Sequence, residues 1–497
     1  MKLLRNLSLG VAVGALTAAG VLLGVAQPAA AQAPPGFFQI PGTKTAILFT
    51  GQVGTRGILD TKDYNVDYPG LAGIDADILI PLFIPAHDNV SHLGGNNNGG
   101  FHFSARDFSF GFITTTPTLW GNLGTTLILG AGSNLNDPAG FSQAFQNVGV
   151  VVAFGTLGPW EAGMNGTLMG DSEAAPDTMG EPLGLPGQLG GIQPGIRYTW
   201  VGPNGFSLAG ALEQSFTGGV SAAFIGNFPN QLFTPSTNAA LGSLSWGPDA
   251  PWSSGTVMGT TTWPDLIVKA QLDQPWGHVA LGGMIHNLSS SCTEACDPGT
   301  SSPTGTDTWG DLPNYNKVGW ALNLTGHFNT WGKDTLKWGA FVGQGVDHYM
   351  GDYGGNQGME IGMGPTCGGG TVAAPTWCGA YIPTDWGLFG AYQHFWTEQL
   401  RSTVGAGYDH VGSSNAYQTT PSATRNLGPT FVGANVDNVS HWSVLANLIW
   451  SPVPKVDLGV QYLYYHVTYL TNDSGVVNGD GNGGADQRFE FESIFHF

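Results

Sequence analysis

The last ten residues of the chain alternate between apolar and polar side chains. Phenylalanine fills four of the five positions on one face, and Ser493 fills the fifth. The other face carries Arg488, Glu490, Glu492, Ile494 and His496. A period of two is that of a β-strand, and about ten residues cross a bilayer as a tilted strand. The pattern predicts a membrane-spanning strand that ends at Phe497, although an edge strand of a soluble β-sandwich could also alternate.

The composition favours the membrane alternative. Charged residues make up 10% of the 497 residues, whereas about 25% is typical of soluble proteins. Beyond the N-terminus no apolar run approaches the length of a membrane helix. In a membrane barrel only every second strand residue has to be apolar. We therefore predict an all-β fold, a transmembrane antiparallel β-barrel.

The N-terminus has the three parts of a secretory signal peptide. Lys2 and Arg5 are followed by an apolar run and by the small residues Ala29-Ala30-Ala31. We predict cleavage after Ala31 and export to the bacterial outer membrane, with a retained anchor helix as the alternative. The predicted organisation is a signal peptide over 1–31, a short periplasmic segment over 32–43 and the barrel over 44–497.

The charge of the chain excludes one class of partner. Without the signal peptide it has 13 basic residues against 35 acidic ones. Nucleic acids bind proteins through basic patches, so we expect no nucleic-acid partner.

The alternating pattern recurs along the whole chain. Trp442, Val444, Ala446, Leu448 and Trp450, for example, share one face with an aromatic residue at each end, as expected for a lipid-facing band. Counting such segments predicts sixteen strands joined by seven short turns and eight long loops. The long loops are 61–100, 131–146, 168–193, 215–263, 289–315, 351–384, 411–440 and 467–485. Sixteen strands leave an aqueous lumen.

Several short segments, in order along most of the chain, match the pattern of one known family. They are Gly36–Thr43, Phe103–Arg106, Phe110–Phe112, Thr115–Thr118, Gln193–Thr199, Ser207–Glu213, Trp263–Leu266, Gly319–Trp320, Asp334 and Gly343–Gly345. The chain thereby resembles the DcaP-like trimeric outer-membrane porins. At three wall positions it departs from the pattern, with Ser109 in place of an arginine and Ile128 and Gly130 in place of acids.

The resemblance implies a homotrimer with one pore per subunit and uptake of small solutes, often dicarboxylates. The expected function is a porin that passes small hydrophilic solutes and ions by passive diffusion, surrounded by outer-membrane lipids. The strand ending at Phe497 resembles the signal that the barrel assembly machinery recognises. A surface-exposed binding or adhesin barrel without an open pore is the alternative, because several loops are long.

The third long loop is the predicted pore constriction, because this loop folds inward in sixteen-stranded porins. Its acidic candidates are Asp171, Glu173, Asp177 and Glu181. The basic candidates that alternation places on the lumen face are Arg56, Lys269, Arg401, Arg488 and Arg197. Acids on the loop opposite bases on the wall would create a transverse field. Alternatively, these residues are ordinary lumen charges solvated by pore water. The acidic excess predicts a neutral or weakly cation-preferring pore.

The four cysteines fall in segments that the sequence predicts to be loops. In an oxidising compartment we expect two loop disulfides, Cys292–Cys296 and Cys367–Cys378.

The sequence contains no motif that points to a cofactor, a metal or an enzymatic reaction. Its twelve histidines show no metal-ligand spacing, and no nucleophile-elbow motif is present. We therefore expect no cofactor, no metal site and no catalytic residue.

Overall fold

The fold is taken from a computed structural model of the chain. It describes residues 34–61, 99–105, 107–131, 148–179, 185–214, 257–259, 263–292, 315–346, 349–350, 360–364, 376–382, 384–412, 438–469 and 483–497. The predicted signal peptide and its cleavage site therefore lie outside the described residues. Within these ranges there is no helix with the length and apolar character needed to cross a bilayer.

The described residues form strands, whose bounds follow in chain order. They are β1 Phe38–Gln39, β2 Ala46–Asp60, β3 Gly100–Ser104, β4 Ser109–Thr118, β5 Gly121–Ala131, β6 Val148–Leu157, β7 Trp160–Gly166, β8 Ile192–Val201, β9 Phe206–Glu213, β10 Val257–Gly259, β11 Asp265–Gln274, β12 Gly277–Cys292, β13 Tyr315–Asn329, β14 Thr335–Gln344, β15 Glu360–Gly364, β16 Thr376–Tyr381, β17 Thr384–Phe395, β18 Leu400–Val411, β19 Asn438–Trp450, β20 Val456–Tyr469 and β21 Gly483–His496.

Sixteen of these strands form one closed antiparallel barrel. Each pairs with the next along the chain, and β2 pairs with both β4 and β21, which closes the sheet. The short strands β3 and β10 extend the barrel wall beside β2 and β12, whereas β15 and β16 form a separate hairpin. The predicted fold class and the count of sixteen are confirmed.

One detail of the predicted loop boundaries is wrong, the position of Cys292. The β4–β5 hairpin turns at Leu119-Trp120, and Pro117 is still paired with Asn122. Cys292 is the last residue of β12 and not part of a loop, whereas Cys378 lies in the β15–β16 hairpin within the predicted sixth loop. Their predicted partners Cys296 and Cys367 lie outside the described residues, and the two disulfides stay predictions.

The alternation of β21 gives it one outward and one inward face, as predicted. Phe489, Phe491, Phe495 and Phe497 are 46–50% exposed on the outside of the barrel. The intervening Arg488, Glu490, Glu492 and Ile494 are buried on the inside. The same separation recurs around the barrel, so the sheet presents an apolar surface outward and polar groups to the lumen.

The seam between the first and last barrel strands contains a buried ion pair. Arg488 and Asp60 are register partners in β21 and β2. The guanidinium Nε lies 2.7 Å from Asp60 Oδ1, and Nη2 lies 3.0 Å from Oδ2. At the opposite end of the seam, the backbone N–H of Phe497 donates to the carbonyl of Gly51 at 3.0 Å. Both ends of the closure are therefore held by direct bonds.

Replacement of Arg488 by Met should weaken the seam, because it leaves the Asp60 carboxylate buried beside β21 without this counter-charge. Breaking one side of a buried pair costs about 3–5 kcal/mol. We expect a lower urea midpoint for the unfolding of the refolded barrel. Lys333→Met removes an ion pair from an exposed turn and should leave the midpoint nearly unchanged. Equal midpoints for the two variants would contradict the role given to Arg488.

Candidate functional site

The segment between β7 and β8 folds into the barrel, as predicted for the third long loop. We call its described residues, 167–179 and 185–191, the inner loop. Its two ends are joined by the hydrogen bond from Thr167 N to Gly191 O at 2.9 Å. Glu213 of β9 holds its start, accepting bonds from Thr167 Oγ1 at 2.6 Å and from Leu168 N at 2.7 Å.

Arg197 lies at the root of the inner loop. Its Nη2 donates to Gly166 O at 2.6 Å, and its guanidinium lies 3.6 Å from Glu161 and 3.6 Å from Glu213. The side chain supports the turn of the chain from β7 into the lumen.

The first half of the inner loop is bound to the wall formed by β11, β12 and β13. Lys269 Nζ donates to Gly170 O at 2.8 Å, and Asn323 Nδ2 donates to Met169 O at 2.7 Å. Main-chain carbonyls of the loop are thus satisfied by wall side chains.

Asp171 is the charged contact in this half. Its Oδ2 lies 3.0 Å from Nε2 of His278 and accepts the hydroxyl of Thr325. Burial raises the pKa of Asp171, but the charge of Lys269 and the hydrogen bond with His278 lower it more, so the pKa lies below its usual range. Asp171 is therefore an ionised anchor of the loop.

Glu173, two residues further on, is in a different setting. Its side chain is 40% exposed and points toward the Nδ1 side of His278, at 3.7 Å. Burial raises the pKa of Glu173, and the charges of Asp273 and Asp171 raise it further against the opposing effect of His278, so the pKa lies above its usual range.

Asp177 anchors the middle of the inner loop to β17 and β18. Its Oδ2 accepts bonds from Arg401 Nε at 2.6 Å and from Gln393 Nε2 at 2.5 Å. Its backbone carbonyl accepts from Asn447 Nδ2 at 2.7 Å. Arg401 also contacts Asp457 through two bonds of 3.4 Å. The carboxylate and the guanidinium are thus in direct contact rather than on opposite sides of an opening.

Apolar contacts add to these bonds near the ends and in the middle of the inner loop. Leu168, Met169 and Leu189 belong to one buried cluster with the wall residues Ile267 and Met284. Ala174 and Leu185 belong to another with Phe389, Leu445 and Leu463. The loop therefore packs on the wall as a core element does.

Inward-facing glycines give the loop room to approach the wall. A Cβ atom on Gly407 of β18 would lie 2.2 Å from the carbonyl oxygen of Pro186. A Cβ on Gly459 of β20 would lie 2.6 Å from the sulfur of Met179. Larger residues at these positions would displace the loop into the lumen.

The base of the sixth loop also lies inside the barrel, which the sequence did not indicate. Gly190 N donates to Tyr349 O at 2.8 Å, and the Tyr349 hydroxyl donates to the buried Asp265. Val346 N donates to Asp385 at 3.0 Å. Val346 and Tyr349 lie beyond the end of β14, outside the alternating segments of the sequence. Periodicity therefore gave no indication of this contact.

The inner face of β4, β5 and β6 carries an apolar cluster. Ile113, Ile128, Val152 and Phe154 form a buried cluster against which Phe37 packs. Ile128, one of the departures from the family pattern, is 4% exposed and belongs to this cluster. The segment before β2 therefore contacts the inside of the barrel.

The two remaining basic candidates lie at the seam. Arg56 Nη2 lies 2.8 Å from Asp107 and its Nη1 lies 3.8 Å from Glu490. Arg488 contacts Asp60, as described above. These three acids are buried, so each arginine is enclosed by acids of the barrel itself.

The structure thus brings Asp171 and Asp177 to the basic side chains Lys269 and Arg401. Arg197 stays at the loop root, and Arg56 and Arg488 stay at the seam. Glu181 lies outside the described residues. Lining of a constriction by these residues stays a prediction.

Replacement of Gly407 by Leu should displace the inner loop, since overpacking at such a contact costs about 1–3 kcal/mol. We expect faster cleavage at Glu173 by a glutamate-specific protease. The control is Gly390→Leu on β17, where an added Cβ meets nothing within 4 Å. Similar cleavage rates for both variants would contradict the proposed packing of the loop on Gly407.

Comparison with known proteins supports the fold. No protein-family model and no curated protein matches the chain. The outer membrane channel DcaP of Acinetobacter baumannii matches with a TM-score of 0.59 and 15% identity, over 93% of this chain and 99% of that chain. The sequence resemblance to DcaP is thereby confirmed at the level of the fold.

Two further structures align less well. OmpT of Vibrio cholerae has a TM-score of 0.45 at 8% identity, covering 92% of this chain and 99% of its own. An anion-selective porin from Comamonas acidovorans has a TM-score of 0.45 at 8% identity, covering 91% and 100%.

Proposed function

We propose that this chain is a bacterial outer-membrane porin, not an enzyme, and that it forms a water-filled channel for passive diffusion of small hydrophilic solutes and ions. The observation that carries the proposal is the position of the inner loop within the closed barrel. A sixteen-stranded barrel encloses more space than its own side chains fill. Apart from the contact with Tyr349, the loop contacts described above go to the wall strands from β9 to β20, and none of them goes to β4, β5 or β6. A loop held along part of the wall narrows such a lumen without needing to close it.

The outer surface supports a membrane position. Exposed residues between the turns are aliphatic and aromatic, such as Val404, Leu322 and Phe491. Tryptophans stand near the short turns, with Trp120 81%, Trp331 79% and Trp396 61% exposed. An apolar band bordered by aromatic residues fits outer-membrane lipids on its outside and the aqueous interface at its edge.

The route to the membrane and the assembly state belong to the same proposal. The pattern over 1–31 supports export by a signal peptide. The outward phenylalanines of β21, ending at Phe497, support recognition by the barrel assembly machinery. A homotrimer is supported by the sequence resemblance to trimeric porins.

The proposed ion preference is weakly cationic. Lys269 and Arg401 bind loop oxygens, so their positive charge is matched locally. Glu173 and Asp273 keep side chains that are 40% and 49% exposed. Exposed carboxylates raise the local cation concentration in an aqueous passage. The resemblance implies small carboxylates as solutes. These anions would then pass by diffusion despite the weak preference for cations.

Purified protein in a planar lipid bilayer should produce stable, discrete conductance steps, because a held loop gives a passage of constant width. Single-channel recording in KCl checks this expectation. Insertion without conductance would overturn the porin and favour the binding or adhesin barrel.

The reversal potential across a KCl gradient should have the sign of cation preference. Glu173→Gln should move it toward zero, since it removes an exposed charge inside the barrel. Glu398→Gln, on an exposed turn, serves as the matched control and should leave it unchanged. A clear anion preference of the unmodified protein would refute the proposed selectivity.

A further inference from the structure

Three metal-ligating side chains meet where the inner loop touches the β11–β12 hairpin. Asp273 and His278 are register partners on either side of the short turn, and Glu173 comes from the loop. One ligand atom from each of the three lies within 4.8 Å of the others. His278 Nδ1 is 2.6 Å from Asp273 Oδ1 and 3.7 Å from Glu173 Oε2.

The imidazole of His278 is held in a defined orientation. Its Nε2 lies 3.0 Å from Asp171, whose side chain is 4% exposed and also accepts the Thr325 hydroxyl. The ring is stacked on that of His327, with 5.7 Å between centroids. A carboxylate on the far nitrogen is the arrangement that orients metal-binding histidines and sets their tautomer.

This orientation points Nδ1 at two carboxylates. With the Nε2 proton donated to Asp171, Nδ1 presents a lone pair to Asp273 and Glu173. A lone pair 2.6 Å from a carboxylate oxygen is repelled unless a cation lies between them. That cation is either a proton on Nδ1 or a metal ion.

The site contains several carboxylates and is partly open to water. Three carboxylates, Asp171, Glu173 and Asp273, surround one imidazole. Lys269 and Lys337 are the nearby bases, and their ammonium groups donate to the loop carbonyls Gly170 O and Ala175 O. The exposed parts of Glu173 and Asp273 also leave the position open to water in the lumen.

We propose that Glu173, Asp273 and His278 bind a first-row divalent metal ion such as Zn²⁺, one per chain, with a water molecule in the remaining position. Tetrahedral zinc with bonds of about 2.0–2.2 Å places its ligands about 3.3 Å apart. The separations in the structure lie on both sides of that value, so small side-chain rotations suffice. An imidazole with two carboxylates selects such ions over Mg²⁺ and Ca²⁺, which prefer oxygen ligands alone.

The bound ion would join the loop to the wall. Glu173 belongs to the inner loop, whereas Asp273 and His278 belong to the barrel. Metal binding would therefore link the partly exposed carboxylate of Glu173 in the loop to Asp273 and His278 in the wall. The metal stabilises the loop position and neutralises two lumen charges.

The site is tested by isothermal titration calorimetry, in which tag-free protein in detergent is titrated with ZnCl₂. We expect one Zn²⁺ per chain and no comparable heat with MgCl₂. Glu173→Gln and Asp273→Asn should each lower the affinity at least about tenfold. Glu398→Gln keeps the same type of change on an exposed turn and should bind zinc as the unmodified protein does.

A second readout separates this proposal from the porin proposal. Cobalt(II) in the site should give a visible absorption band that both ligand variants lose, and heat-dependent gel mobility shows whether each variant is folded. No zinc binding by the unmodified protein, or equal binding by folded ligand variants, would overturn the site and identify the cation as a proton. Zinc binding without conductance would refute only the porin.

Discussion

A strand in a bilayer has no water to satisfy its backbone, so every N–H and C=O must bond to a neighbouring strand. The remaining features of this structure depend on that constraint. It requires the sheet to close, and the closure brings β2 against β21, where Arg488 and Asp60 pair. It also makes side chains alternate between lipid and lumen, which explains why a chain with so little charge can have a polar interior.

A closed barrel of sixteen strands has a wide lumen, so a loop that folds into it must be held in a fixed position. The inner loop is held by ion pairs, hydrogen bonds and close packing, as a segment of a protein core is. Asp171 and Asp177 are matched by basic and polar wall groups, and main-chain carbonyls are matched by Lys269 and Asn323. Glycines such as Gly407 let the two backbones approach. Charges that alternation places in the lumen are thereby used largely to hold the loop, and exposed carboxylates remain at Glu173 and Asp273.

The sequence predicted the inward facing of Lys269 and Arg401 because facing is a local consequence of a period of two. It also located the acids of the loop that meets them. It could not pair Asp177 with Arg401, since 224 residues separate them and their contact depends on the path of the loop. The inward base of the sixth loop was missed for a similar reason, because Tyr349 and Val346 lie in no alternating segment. Cys292 was placed in a loop because serine-rich strand ends resemble loops in composition.

The sequence by itself determined the strand at Phe497, the count of sixteen, the outward and inward faces and the third loop as the inserted one. The first three follow from short-range periodicity or from spacing between periodic segments, whereas the inserted third loop follows from the likeness to sixteen-stranded porins. Only the tertiary structure decided which charges meet. Along the sequence, the twelve histidines show no metal-ligand spacing. The residues proposed to bind a metal ion together with His278 are Asp273, across the hairpin, and Glu173, in the inner loop. Folding of the loop against the wall is what brings Glu173 beside Asp273.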